Sequence, residues 1–178
     1  MNTIVDLTTS LQCVQGNNPR SISFMIQTTT TTSYICILST GGSNSFSVCT
    51  STGYNSTLGI VGIAMNGGNN DTFHPTTGTV INDGLWHTVL VTYDGTVISI
   101  YVDGLLDNNA TNWNSVGSTA TSIASTLNTI GNSVNYLGQS ETGTGRWIGQ
   151  LANVIFYDYI ITNTSSVGTL TNIGIYYM

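Results

Sequence analysis

Apolar and polar residues alternate with a period of two along most of this chain, and nowhere do apolar residues hold a 3.6-residue period over three turns. The clearest run is "LWHTVLVTYDGTVISIYVDG", residues 85–104. Val89, Val91 and Tyr93 alternate there with Thr88, Leu90 and Thr92. Asp94-Gly95 predicts a turn, Val97 to Val102 a returning strand, and Asp103-Gly104 a second turn. Asp-Gly between alternating runs is a preferred two-residue hairpin connection, because both positions need positive φ and Gly tolerates it freely. The same rhythm, rich in Val, Ile, Thr and Tyr and punctuated by Gly, Asn and Asp, predicts strands near 21–27, 34–39, 45–50, 58–65, 78–82, 86–93, 96–102, 122–130, 134–138, 147–159 and 169–177. That many short strands in 178 residues predict one all-β domain, a two-sheet antiparallel sandwich with negligible helix.

Within that frame the conspicuous side chains of residues 85–104 have structural readings. Turn chemistry accounts for Asp94 and Asp103, Trp86 opens a strand and packs at a sheet end, and His87 is a hydrogen-bonded structural histidine. The run Thr28–Thr32 reads as a strand end and loop, with an O-glycosylated patch as the sharper alternative.

Composition narrows the functional classes. Only 6% of residues are charged, against about 25% in an ordinary soluble domain. There is no Lys, and Arg20 and Arg146 are the only strong cations. The net charge of −6 and a pI near 4.1 exclude nucleic acid as a partner, because a phosphate backbone would be repelled. No apolar run approaches the roughly 18 residues a membrane helix needs, so no membrane insertion is expected. The opening "MNTIVDLTTS" lacks the basic start and apolar block of a secretory signal. Yet Asn55, Asn70, Asn109 and Asn163 each head an N-x-[ST] glycosylation motif in a polar stretch. The expected location is extracellular, on a cell surface or on a virion surface, with Met1 either not the precursor start or the start of a protein that leaves its cell by another route.

"INDGLWHTVLVTYDGTVISIYVDG" resembles the central meander of the laminin-G-like branch of the concanavalin A-like lectin-glucanase family. That family shows D-G-x-W-H, a strand, Y-D-G, another strand and V-D-G. Upstream, "PRSISFMIQT" is similar to its early strand, with Met25 where the family usually has Trp. Downstream, "NYLGQ" and "WIGQLANVIFYDYIIT" are similar to its late strands. The resemblance covers residues 20 to 165 and implies a jelly-roll sandwich. Two positions depart from the pattern. Ala152-Asn153 stands where the family has an acidic pair, and "TIVDLTTSLQCV" matches the family's first strand poorly. The chain therefore divides into residues 1–19, a β-prone arm or first strand, and residues 20–178, the jelly-roll domain.

The resemblance also raises catalysis, since relatives on this fold cleave β-glucans. Retaining glycosidases need two carboxylates about 5–5.5 Å apart, which the laminarinase-type enzymes set on one strand as E-x-D-x-E. This chain has a single Glu, Glu141, and no strand with two alternating carboxylates. No Gly-x-Ser-x-Gly elbow is present either. A non-catalytic protein is expected. Some laminin-G-like domains hold Ca²⁺, which takes six to eight oxygens. Asp71 in "NGGNND" and Asp107 beside Asn108 are the candidate ligands, with plain polar loops as the alternative. No other cofactor is expected: His74 and His87 have no C-x-x-C to complete a zinc site.

The cysteines fit a hairpin, "SYICILSTGGSNSFSVCT", turning at Gly42-Ser43. In that register Ile37 faces Val48, Ile35 faces Thr50, Ser39 faces Phe46, and Cys36 stands opposite Cys49 within disulfide reach. A disulfide and two buried thiols are the alternatives, and Cys13 is left over.

Two functions from different classes follow. One is a structural or adhesive module that associates with copies of itself, into a filament if the N-terminal arm is shared as a strand, since no Lys blunts the sheet edges. The other is a lectin-like module binding glycans through Trp113 between Asn112 and Asn114, or through Arg146 and Trp147. Packing against the sandwich is the alternative for both Trp residues.

Overall fold

A computed structural model of the protein describes residues 5–6, 16–32, 35–40, 46–50, 59–65, 72–73, 78–111, 135–140 and 145–162, with backbone alone at 5–6, 64–65, 72–73 and 108–111. Eleven strands form two antiparallel sheets, and there is no helix among the described residues. The strands are β1 (Val5–Asp6), β2 (Arg20–Gln27), β3 (Ile35–Thr40), β4 (Phe46–Thr50), β5 (Val61–Met65), β6 (Thr72–Phe73), β7 (Trp86–Tyr93), β8 (Val97–Val102), β9 (Leu105–Thr111), β10 (Asn135–Leu137) and β11 (Gln150–Tyr157). One sheet runs β1-β10-β3-β4-β5-β6 and the other β11-β2-β7-β8-β9. This is the expected jelly-roll sandwich.

The core follows from the alternation. Ile22, Phe24 and Ile26 of β2, Val89, Val91 and Tyr93 of β7, and Ile98, Ile100 and Val102 of β8 point inward. They meet Ile35, Leu38, Phe46, Val48, Val61 and Ile63 from the opposite sheet, all buried. Each such side chain contributes about 1.5–3 kcal/mol when removed from water. The alternate residues of the five-stranded sheet therefore form its outer face, in rows set by register. Gln150, Gln27 and Trp86 make one row, and Ile155, Ser23, Leu90 and Tyr101 another.

Several expectations need correction. The Tyr93–Val97 connection turns at Gly95-Thr96, not at Asp94-Gly95: Tyr93 pairs with Ile98, the Asp94 amide donates to the Val97 carbonyl, and Gly95 alone takes positive φ (98°). Asp94 instead stands at the turn entrance, where its Oδ1 accepts from the Thr96 and Val97 amides. Asp103-Gly104 does turn as expected, with φ of 52° and 82°. Ile37 does not face Val48. It is bulged out, so Leu38 pairs with Val48 and Ser39 with Ser47. The shift lets the two buried hydroxyls bond each other at 2.7 Å, whereas the unshifted register would set Ser39 against Phe46. Cys36 and Cys49 remain paired and form a disulfide. Residues 78–82 are a loop around buried Ile81, and β9 is a strand that the Asp-Asn run had hidden. Val5–Asp6 pairs with Tyr136–Leu137 of the same chain. The strands expected near 122–130 and 169–177 lie outside the described residues.

The Ala152-Asn153 departure also gains a cause. The β11–β2 register shifts between Ala152 and Ile155, and Asn153 takes φ of 51°, a conformation Asn tolerates better than most residues. Its Nδ2 reaches Met25 Sδ at 3.3 Å, so this Asn and the unusual Met are neighbours.

The lower end of the sandwich is closed by Arg20, 1% exposed. Its Nε donates to the Asn18 carbonyl at 2.9 Å and one terminal nitrogen to the Gly16 carbonyl at 2.6 Å. The guanidinium lies 5.6 Å from the ring centre of Tyr93 and 5.7 Å from that of Phe46. The Tyr93 hydroxyl donates to Asn17 Oδ1, and burial pushes its pKa up to about 12 despite the nearby cation.

Candidate functional site

The upper end gathers the Thr28–Thr32 loop, the turn before β7, the Asp103-Gly104 turn and the Gly145–Gly149 segment. Short-range polar contacts join them. The Gly84 amide donates to the Thr28 carbonyl at 3.0 Å, Gln27 Nε2 to the Gly84 carbonyl at 2.8 Å, and Asn82 Nδ2 to the Thr30 carbonyl at 3.0 Å. Thr28 Oγ1 donates to the Ile148 carbonyl at 2.6 Å and accepts from the Thr30 amide at 3.1 Å, so the threonine run is a loop held by its own hydroxyls. Gly149 permits the approach of β11, because a Cβ there would collide with the Gln27 carbonyl.

Trp86 stands in this rim at 41% exposure, with Leu85 at 63% beside it. It shares the outer face with Thr88, Leu90 and Thr92, and it pairs with Gln27, which pairs in turn with Gln150. An indole and two carboxamides thus stand side by side across three strands, over about 10 Å at the usual strand spacing. Reading Trp86 as a packed side chain is corrected. The parity of the alternation already assigns it outward, together with the threonines.

Behind Trp86, His87 is buried against the core side and bonded at both ring nitrogens. Nδ1 lies 2.8 Å from Asp103 Oδ2 and Nε2 lies 3.0 Å from Asp83 Oδ1. Asp83 Oδ1 also accepts from the Leu85 amide, and Asp103 Oδ1 from the Thr88 amide. Burial alone would lower the His87 pKa, but the hydrogen bonds and charges of Asp103 and Asp83 together raise it above 6.5. The Leu85 amide, then His87, hold the Asp83 carboxyl below its ordinary 3.8. With a carboxylate on each ring nitrogen, the imidazole is not aimed at a nucleophile. His87 is structural, as expected, and Asp103 serves it as well as the turn.

The other expected sites fall as follows. Trp147 is 5% exposed and packs into the core, with Nε1 donating to the Gln150 carbonyl at 3.4 Å, so its ring is not a surface platform. Arg146 beside it is exposed, and its backbone bridges to Cys36. Asp107 Oδ1 accepts from the amide and hydroxyl of Thr79, both at 2.7 Å, which pins a loop. Among the described residues, no three His, Cys, Asp or Glu side chains form a group that could hold a metal ion. Asn109 lies in β9, the last strand of its sheet among the described residues. Asn112, Trp113, Asn114, Asn55, Asn70, Asn163, Asp71, His74, Glu141 and Cys13 lie outside the described residues. Among the described residues, no helix is long and apolar enough to cross a membrane.

The family profile of the concanavalin A-like lectin/glucanases superfamily, laminin G type, matches residues 3–165. The chain belongs to this superfamily. The match includes the N-terminal stretch that the motif resemblance left out. Solved structures agree on the fold. Domains LG4-5 of mouse laminin α1 superpose with a TM-score of 0.59 at 16% identity, over 89% of this chain and 40% of that one. Domain 4 of AbnA, an extracellular arabinanase from Geobacillus stearothermophilus in complex with arabinotriose, gives 0.61 at 14% identity, over 97% and 82%. The CBM40 of a Ruminococcus gnavus sialidase, bound to α2,3-sialyllactose, gives 0.64 at 14% identity, over 97% and 93%. No curated protein matches the chain in sequence.

Proposed function

We propose that this superfamily member is a non-catalytic, extracellular carbohydrate-binding module that holds neutral glycans on the Trp86 rim. The observation that carries the reading is the exposed indole beside two carboxamides. A sugar ring offers an apolar C–H face to an aromatic platform and hydroxyls to flanking amides, and a row of about 10 Å suits two sugar residues. Asp83 and Asp103 flank the row in a chain of net charge −6, which disfavours carboxylated sugars. Support for carbohydrate comes from two similar domains, one in complex with arabinotriose and one bound to sialyllactose, and support for an extracellular setting from the arabinanase. Non-catalysis rests on the single Glu of the chain and on a histidine with both nitrogens taken by carboxylates.

An array of neutral and sialylated oligosaccharides probed with the wild type and Trp86→Ala tests this. Neutral ligands should bind, and the variant should lose at least about tenfold in affinity while staying folded. Binding that survives Trp86→Ala but fails in Trp113→Ala would move the site to the Asn112–Asn114 segment, and no binding at all would end the reading.

Self-association is the second reading, favoured by β9, which ends the five-stranded sheet among the described residues, lacks Lys and Pro and shows Leu105 at 75% exposure. Light scattering at rising concentration tests it. A monomer throughout would reject it, and unchanged assembly after deletion of residues 1–12 would reject the N-terminal arm as the shared strand.

A further inference from the structure

The bridge behind Trp86 has a proton requirement that its geometry states directly. A carboxylate only accepts hydrogen bonds, and His87 meets one at each ring nitrogen, at 2.8 Å and 3.0 Å. Both contacts are hydrogen bonds only while the ring carries two protons. A neutral imidazole keeps one N–H and turns a lone pair toward the other carboxylate, which repels it. No other charge relieves this: β2 presents apolar Ile26 opposite His87, and among the described residues Asp83 and Asp103 are the charged groups facing the ring.

We propose that the Asp83–His87–Asp103 bridge is a proton-operated latch on the Trp86 rim, which joins two turns while the ring is an imidazolium and releases the Asp83 carboxylate when it is neutral. As control of ligand binding this rests on the carbohydrate reading above. The released proton is the one on Nε2, and it passes to solvent. Asp103 keeps its hold because its Oδ1 also takes the Thr88 amide and its own amide donates to the Thr88 carbonyl at 2.8 Å. Beyond His87, Asp83 takes the Leu85 amide and, more weakly, its own amide, both within its own turn. Gly84 and Asn82 stay bonded to the Thr28–Thr32 loop, so the released motion centres on Asp83 and Leu85, which lead directly into Trp86 beside the Gly84 carbonyl that holds the Gln27 carboxamide.

Nitrogen-15 NMR of the full chain between pH 5 and 9, with His87→Gln to assign the ring, tests the latch without any sugar. Both ring nitrogens should be protonated at pH 6, and Nε2 should lose its proton on a midpoint above 6.5. Over the same step, hydrogen exchange at the Leu85 amide should accelerate about tenfold beyond the intrinsic pH effect, while Thr88 stays protected. A ring already neutral at pH 6, or a titration that leaves Leu85 exchange unmoved, overturns the latch. The oligosaccharide array repeated at pH 6 and pH 9 separates the two claims. Trp86-dependent binding that weakens about fivefold across the step supports both. Trp86-dependent binding indifferent to the step overturns the latch as a control of binding and leaves the carbohydrate reading standing. The NMR step without sugar binding at either pH keeps the structural latch and removes the carbohydrate reading.

Discussion

Each end of the sandwich holds a buried basic side chain, Arg20 below and His87 above, and the two are held in opposite ways. At the lower end Arg20 lies between aromatic faces and backbone carbonyls, out of reach of water. At the upper end His87 lies between two carboxylates whose outer sides remain in solvent. The lower end exchanges hydration for fixed carbonyl acceptors and π faces, so loss of the cation takes a charged donor from both carbonyls. The upper end keeps half of each contact wet, so it can be remade with every change of proton.

The largest expected effect comes from Cys36→Ser with Cys49→Ser, which opens a loop closed over 13 residues and should cost about 2–3 kcal/mol. If reduced and oxidised proteins melt together, the disulfide carries no such weight. The next breaks the lower end. Arg20→Met should cost about 2 kcal/mol by denaturant unfolding, because a buried side chain gives up two charged hydrogen bonds and its stacking on Tyr93 and Phe46. A loss under about 1 kcal/mol would mean that the cation is not integral to that end.

A pH scan of Tm sharpens the comparison. His87 titrates higher in the folded state than its ordinary 6.5, so its stabilisation is complete below 6.5 and is lost as pH rises through the raised value. Asp83 titrates below its ordinary 3.8, so its stabilisation holds above 3.8 and is lost as pH falls through the lowered value. The upper end should be firmest between the two. The lower end should be indifferent until Tyr93, ordinary value 10.0 and folded value about 12, begins to favour unfolding above pH 10. His87→Gln should flatten the decline above pH 6.5, and a decline that persists unchanged would assign it elsewhere. The smallest effect on stability belongs to Trp86→Ala, within about 1 kcal/mol, since the indole is already partly in water. A larger loss would make Trp86 a packing residue and weaken its assignment to the binding rim.

Most of the fold was legible because buried faces write themselves as alternation. Residues 86–93 match β7 residue for residue. The site was hidden by a one-residue error in a turn. With Asp94-Gly95 as the two turn residues, Tyr93 would face Thr96 and Asp103 would face Trp86. With Gly95-Thr96 the strands slide, Val89 faces Val102, and Asp103 comes beside Thr88 within reach of His87. Register, which no local propensity fixes, decided whether that aspartate had a partner. Ile37 shows the same limit, since a bulge is a bargain between two strands and neither announces it alone. Gln27 and Gln150 carried no signal, because side-by-side placement of residues more than a hundred positions apart exists only after the sheet forms.

Ser21 ties the chain down just after β11. Its hydroxyl donates to the Tyr159 carbonyl at 2.8 Å and accepts from the Ile161 amide at 2.9 Å, so one side chain clasps the segment on both sides of Ile160. Among the described residues β11 ends its sheet, and a pull on the chain beyond Thr162 would otherwise peel it from β2 one rung at a time, starting at Tyr157. The clasp meets that load first and must lose two hydrogen bonds together before the ladder is touched. In a module tethered through that side, mechanical resistance would begin at a buried serine rather than at the sheet.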